Sequence, residues 1–201
     1  QLAGEAMFGK RKFTVIPNVI QTKKYRFDPA VRERVRQDMN VQDKLIVGTV
    51  GRLAEQKNPF FAVDVFTHLL KDLPDAEYWW IGSGPLQEQV KDYVEEKSLS
   101  DRVKLLGSRN DVLELYQGMD AFLLPSLFEG LPLTGVEAQA MGLPMVVSDT
   151  ITDEMVYTDL VDYVALDAPV EVWVEHLKKA LSCNVERTKY IHELERSKFS
   201  N

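Results

Sequence analysis

The sequence predicts an α/β protein: a doubly wound parallel sheet of about six strands with helices on both faces. Three observations carry this. Short apolar, β-rich runs alternate with amphipathic stretches of helical length along most of the 201 residues. The alternation is regular, without repeats or low-complexity tracts. A hydrophobic content of 45% over this length supports one sizeable core, within the range of a single large domain.

The elements follow in order. Phe13 to Ile16 reads as an extra strand and Ala30 to Met39 as a helix. Lys44 to Val50 (KLIVGTV) is the first strand of the sheet. Asn58 to Lys71 follows as a helix, with Phe61, Val65, Phe66, Leu69 and Leu70 at helical spacing. Glu77 to Ile81 is a strand and Pro85 to Lys97 a helix, with Pro85 suited to a first helical position. Val103 to Leu106 is a strand and Val112 to Gln117 a short helix. Ala121 to Leu124 is a strand and Leu133 to Met141 a helix. Pro144 to Val147 is a strand, Tyr163 to Ala165 a weaker one, and Val170 to Leu181 a helix. Residues 1–14 read as the remnant of an interdomain segment, 15–183 as the ligand-binding domain, and 184–201 as a helical tail that packs on something partly absent. The chain opens with Gln1 rather than Met, and its first 12 residues look like the end of something else, so a fragment of a longer protein is expected.

Composition excludes several classes. The net charge of −7, from 24 basic and 31 acidic residues, argues against a nucleic-acid coat protein. One cysteine, Cys183, allows no internal disulfide and no cysteine-rich metal site, and fits a reducing cytoplasm. His68, His176 and His192 lack metal-ligand spacing and read as surface or core residues. No apolar run approaches the roughly 20 residues that span a bilayer, and Gln1 to Lys12 lacks the apolar centre of a signal peptide.

In the common strand order 3-2-1-4-5-6, strands 1 and 4 are neighbours where the winding reverses, and ligands bind outside their carboxyl ends. The loop after strand 1 is Gly51-Arg-Leu-Ala-Glu-Gln-Lys57. The loop after strand 4, Pro125 to Pro132, holds Glu129 and Gly130. The two most chemically loaded loops would therefore face one crevice. Arg52 can fork onto two phosphate oxygens, and Lys57 adds a point charge. The alternative is a basic surface loop paired with Glu55 or Glu129. Gly130, Pro132 and Gly135 suit a tight turn into a helix, whose first N–H groups, at Leu133 and Thr134, lack intrahelical partners and can hold an anion. Glu137, one turn in, could accept from a ribose diol or stand as a solvated carboxylate. Gly82-Ser-Gly84-Pro85 looks like the opening of a dinucleotide fingerprint, but Gln87 stands where the third glycine belongs, so it reads better as a tight turn near the ligand. Ser108 and Arg109, after strand 3, could border a nucleobase, or Arg109 could be a surface cation. Trp79 and Trp80 lie within a strand and read as core.

Taken together, Gly51-Arg52-Leu53 with Lys57-Asn58, Gly82-Ser-Gly84-Pro85, and Pro125-Ser126 followed by Glu129-Gly130 and Glu137-Ala138 resemble glycosyltransferase family 4, the group 1 transferases. The resemblance runs from about Val15-Ile-Pro-Asn18 to Leu181, and Ser148-Asp-Thr-Ile-Thr152 looks like the branch that builds bacterial exopolysaccharide or capsule. It implies the GT-B architecture of two Rossmann-like domains with the active site between them, of which this chain resembles the C-terminal, donor-binding half. It implies a nucleoside diphosphate sugar as substrate, no cofactor, no metal, and transfer with retention. Arg52 and Lys57 would hold the diphosphate, Glu129 the donor sugar and Glu137 the ribose. Gly51, Gly82, Gly84, Ser108, Arg109, Gly130, Leu131, Leu133 and Thr134 would line the donor site. A glycan or lipid-linked acceptor would be bound by an N-terminal domain, which in this family usually supplies a histidine and has no counterpart here. The full-length protein would be cytoplasmic, with peripheral association at the inner membrane face left open, since Lys10-Arg-Lys12 carries too few charges to decide it. Other readings are a same-fold epimerase, a phosphorylase with a lysine-linked pyridoxal group, and a non-catalytic nucleotide-sugar sensor. A nicotinamide dehydrogenase is weakest, lacking the fingerprint.

Overall fold

The structure is a computed structural model that describes residues 20, 21 and 24–200. The strand expected over 13–16, the start of the family resemblance at 15–18, the interdomain remnant at 1–14 and the basic triplet at 10–12 lie outside the described residues. The first helix is α1 (Pro29–Asp38). Then β1 (Ile46–Val50), α2 (Pro59–Leu69), β2 (Glu77–Ile81), α3 (Gln87–Glu96) and β3 (Val103–Gly107) form the first half of the sheet. The second half is α4 (Val112–Gly118), β4 (Ala121–Leu124), α5 (Leu133–Ala140), β5 (Met145–Ser148), β6 (Val161–Val164) and α6 (Val170–Ser182), followed by α7 (Tyr190–Arg196).

All six strands are parallel, in the order β3-β2-β1-β4-β5-β6. That is the order which makes β1 and β4 adjacent, as expected from the alternation. The period of two in each strand divides its side chains between two cores. Ile46, Val50, Trp79, Ile81, Phe122, Leu124, Met145 and Val147 pack on one face with residues of α4, α5 and α7. Val47, Tyr78, Trp80, Ala121, Leu123 and Val146 pack on the other with α2, α3 and α6. Trp79 and Trp80 are fully buried on opposite faces, the core role their place in a strand predicts.

Several boundaries differ from expectation, two of them for a visible reason. Pro85 is not a first helical residue: α3 starts at Gln87 with Leu86 as its N-cap. The Gly84-Pro85 turn is instead taken up in contact with the loop after β1, where the Leu86 N–H donates to the Leu53 carbonyl at 3.0 Å. β6 begins two residues early, because Val161 and Asp162 already pair with Met145 and Val146. The tail needs no outside support for its apolar side chains. Tyr190, Ile191, Leu194 and Phe199 are buried, the last three in the core cluster of α5. The Ile20 N–H donates to the Phe199 carbonyl, joining the two ends of the described chain.

Candidate donor-binding site

The loop after β1 is fixed from the sheet upward. The Gly51 N–H donates to the Ile81 carbonyl at 2.9 Å, and the Trp80 indole N–H to the Gly51 carbonyl at 3.0 Å. Gly82 has φ +131°, and a Cβ there would lie 2.2 Å from the Gly51 carbonyl oxygen. A Cβ at Gly84 would lie 2.2 Å from the Leu53 carbonyl oxygen. Both glycines are required by close approach of two backbones, whatever ligand lies near them.

The loops after β1 and β4 then lock together. A 3-10 turn over Glu55–Lys57 presents Lys57, whose Nζ donates to Glu129 Oε1 at 2.5 Å. Both side chains are largely buried, at 12% and 8% exposed. This is the pairing that the alternative to a phosphate-binding loop named, with Glu129 rather than Glu55 as the partner of Lys57. Gln56 adds a second clasp. Its carbonyl accepts the Leu127 N–H at 2.8 Å, and its Nε2 donates to the Phe128 carbonyl and to Glu129 Oε2. Ser126 donates to Glu129 Oε1 at 2.8 Å, and its own carbonyl accepts from Ser148 and Thr150 at the end of β5. Arg52, in the same loop, is exposed, and its guanidinium has no ion pair or hydrogen bond among the described residues. Gly130 is exposed, and a Cβ added there would meet nothing within 4 Å.

α5 opens immediately after that loop. No side chain caps its N-terminus at Pro132, so the first N–H groups, at Leu133 and Thr134, remain free of intrahelical bonds and carry the positive end of the helix dipole. Leu131 and Leu133 are half-buried. Thr134 Oγ1 is buried without a hydrogen-bond partner among the described residues, which costs about 1–3 kcal/mol unless something bonds it. Glu137 is not the solvated carboxylate of the alternative reading. Oε1 accepts from the Tyr25 hydroxyl at 2.7 Å and Oε2 from the Tyr116 hydroxyl at 3.0 Å. Burial, and then Glu137 itself, pushes both phenols above their usual range, so both hydroxyls stay protonated donors.

The loop after β3 is less engaged. Ser108 donates to Ser83 Oγ at 3.2 Å, tying it to the turn after β2. Arg109 forks onto its near neighbour Asp111, with Nε–Oδ1 at 2.7 Å, in an exposed pair. The concavities beside β6 and beside β3 are lined by none of these residues. Sequence reasoning missed Gln56, Tyr25 and Tyr116, and it quoted Ser126 in a motif without giving it a role. Gln56 stands beside the motif residue Lys57 and could have been drawn in by adjacency; the tyrosines carried no signal. Among the described residues no three His, Cys, Asp or Glu side chains gather to hold a metal ion.

The sheet order and the paired loops define a Rossmann-like α/β domain. A family model described as glycosyl transferases, group 1, matches residues 31–196, and the chain belongs to that family. It is 30% identical over 194 residues to the putative glycosyltransferase EpsF of Bacillus subtilis (strain 168), covering 96% of this chain and 50% of that protein. It is 35% identical over 144 residues to the UDP-Gal:alpha-D-GlcNAc-diphosphoundecaprenol alpha-1,3-galactosyltransferase of Escherichia coli, covering 69% of this chain and 37% of that one. The chain thus spans half or less of the length of these curated relatives. WaaG, a glycosyltransferase involved in lipopolysaccharide biosynthesis, superposes with a TM-score of 0.80 at 20% identity, over 98% of this chain and 55% of that one. Anabaena Alr3699/HepE in complex with UDP and glucose gives 0.77 at 20% identity, over 93% and 53%. These two likenesses speak to the fold alone.

Proposed function

We propose that this domain binds the nucleoside diphosphate sugar donor of a retaining, metal-independent glycosyltransferase that acts in bacterial surface polysaccharide synthesis. One observation carries the reading. The locked Lys57–Glu129 pair joins the loop that carries the unpaired Arg52 side chain to the loop that leads into the uncapped start of α5. Cations, free N–H groups and a hydroxyl acceptor are what a sugar diphosphate needs.

In this reading Arg52 takes the diphosphate and Lys57 shares its charge between phosphate and Glu129. The N–H groups of Leu133 and Thr134, with the unpartnered Thr134 hydroxyl, complete the phosphate cradle. Gly130 and Leu131 leave the sugar room to approach. Glu129 accepts from the sugar's hydroxyls, and Glu137 from the ribose diol. Gly51, Gly82 and Gly84 shape the cradle's floor, while Ser108 and Arg109 border the base. When the bond between the anomeric carbon and the phosphate oxygen breaks, negative charge grows on the diphosphate. Arg52, Lys57 and the helix start face that charge before it forms, the arrangement that lowers a barrier without reorganisation. The acceptor, a glycan or a lipid-linked saccharide, would meet the donor through a separate N-terminal domain, at the cytoplasmic side of the membrane.

Calorimetric titration with UDP, GDP and ADP, each with and without a chelator, tests this. At least one should bind with equal affinity in both conditions and more weakly in added salt. Binding that vanishes in chelator would overturn the metal-independent reading, and no binding at all would overturn the donor site.

A further inference from the structure

The two carboxylates of the site are held by opposite means. Glu129 meets a cation, so its charge is neutralised in place. Glu137 meets two neutral phenols, one on each oxygen, so its charge survives. From this contrast we infer that Tyr25 and Tyr116 are positioning residues for the ribose: together they fix the Glu137 carboxylate as a preset, still anionic acceptor for a vicinal diol. The inference rests on the proposed donor reading and names what makes its ribose contact work.

The geometry supports it from three sides. Tyr116 is fully buried on α4, its ring against Phe122 and its hydroxyl on Glu137 Oε2. Tyr25 comes from the segment that enters α1 and reaches Oε1. Glu137 lies on α5. Three elements therefore converge on one carboxylate and leave it a single orientation. Each carboxylate oxygen has about two lone-pair sites. One phenol on each leaves one free on each, which matches the two parallel donors of a 2′,3′-diol. Lysines in place of the tyrosines would satisfy the oxygens equally well but would cancel the charge that makes the acceptor strong. The hydroxyls keep their protons through the neutral range, so they cannot turn into repelling phenolates beside Glu137.

Tyr25 is also half-buried, and an occluding role is the rival. A hydroxyl that merely stood where the ribose belongs would be displaced by nucleotide, and its removal would raise affinity. A positioning hydroxyl gives the opposite sign.

The test compares UDP with 2′,3′-dideoxy-UDP by calorimetry, using the chain and its Tyr25→Phe, Tyr116→Phe and Glu137→Gln variants. Each phenylalanine change removes one oxygen and keeps the ring, so the fold is retained; melting curves check this. Tyr25→Phe should weaken UDP about five- to tenfold and leave the dideoxy analogue unchanged, shrinking the preference for the diol. Tyr116→Phe should do the same. Equal loss for both nucleotides, no loss, or a gain in UDP affinity would overturn the inference. The Glu137→Gln variant separates the two levels. If it abolishes the diol preference while the phenylalanine variants keep it, only the positioning role fails. If it leaves the preference intact, or if the wild-type chain binds no nucleotide, the ribose reading itself fails.

Discussion

Lys57 Nζ lies 2.5 Å from Glu129 Oε1, across the junction between the loops that follow β1 and β4. The two strands are neighbours in the sheet, yet their paired residues, Val47 with Ala121 and Gly48 with Phe122, are 74 positions apart in sequence. This contact, with the Gln56 clasp beside it, ties the two loops together where the winding of the sheet reverses.

Removing one partner of so buried a pair leaves the other uncompensated. Lys57→Ala should destabilise the domain toward the lower end of about 3–5 kcal/mol, because Ser126 and Gln56 still donate to Glu129. Adding Glu129→Gln should recover part of the loss, since no buried charge then remains. Denaturant unfolding of the single and double variants measures both, and an unchanged midpoint for Lys57→Ala would contradict the prediction.

The two glutamates should fail differently. Glu129→Ala in the full-length protein should lower turnover of the sugar donor yet spare affinity for bare nucleoside diphosphate. Glu137→Ala should weaken bare nucleotide and nucleotide sugar alike. Lost hydrogen bonds to a charged group are worth about 1.5–3 kcal/mol, so each effect should be on the order of ten- to a hundredfold. Equal weakening of bare nucleotide by both changes would defeat the division of labour.

Two glycines make a matched pair of controls. Gly82→Ala forces a Cβ onto the Gly51 carbonyl at a backbone angle that suits glycine, and should cost at least about 2 kcal/mol. At this chain length that lowers Tm by about 4 °C or more. Gly130→Ala points into open space, and should leave Tm within about 1 °C while reducing sugar-donor affinity severalfold. A Gly130 variant with unaltered donor binding would place the sugar elsewhere.

Alkaline pH offers an independent check on Tyr116. Its folded-state pKa is raised well above the usual tyrosine value of 10.0, by burial first and by Glu137 next. A raised value means that its contribution is complete below pH 10 and is lost as pH climbs toward the folded-state value, because the unfolded chain releases the proton first. Stability measured from pH 7 to 11 should fall above pH 10 in the wild type. It should fall less steeply in Tyr116→Phe, by up to about 1.4 kcal/mol per pH unit. Parallel curves would mean that the phenol is not held as described.

Much of this was legible in the sequence because its signals are local. Alternating strand and helix runs pointed to the common doubly wound order, which the sheet has, and with it to the loops that bring Lys57 to Glu129. What stayed hidden is set by contacts between distant segments. Tyr25 and Glu137 are 112 positions apart, and neither spacing nor composition joins them. Gln56 looks like filler in a polar loop until its backbone is seen to take the Leu127 N–H. The tail reads as weakly amphipathic because its apolar residues are few, though Leu194 and Phe199 are almost wholly buried. Pro85 misled because a proline after a glycine suits a helix start and a turn equally.

A crystal structure of the chain soaked with UDP tests the central claim most directly. The diphosphate should sit between the Arg52 guanidinium and the N–H groups of Leu133 and Thr134, with the ribose diol on Glu137 and no metal ion bridging the phosphates. UDP seated away from Arg52 and the start of α5, or held there only through a metal ion, would contradict the account.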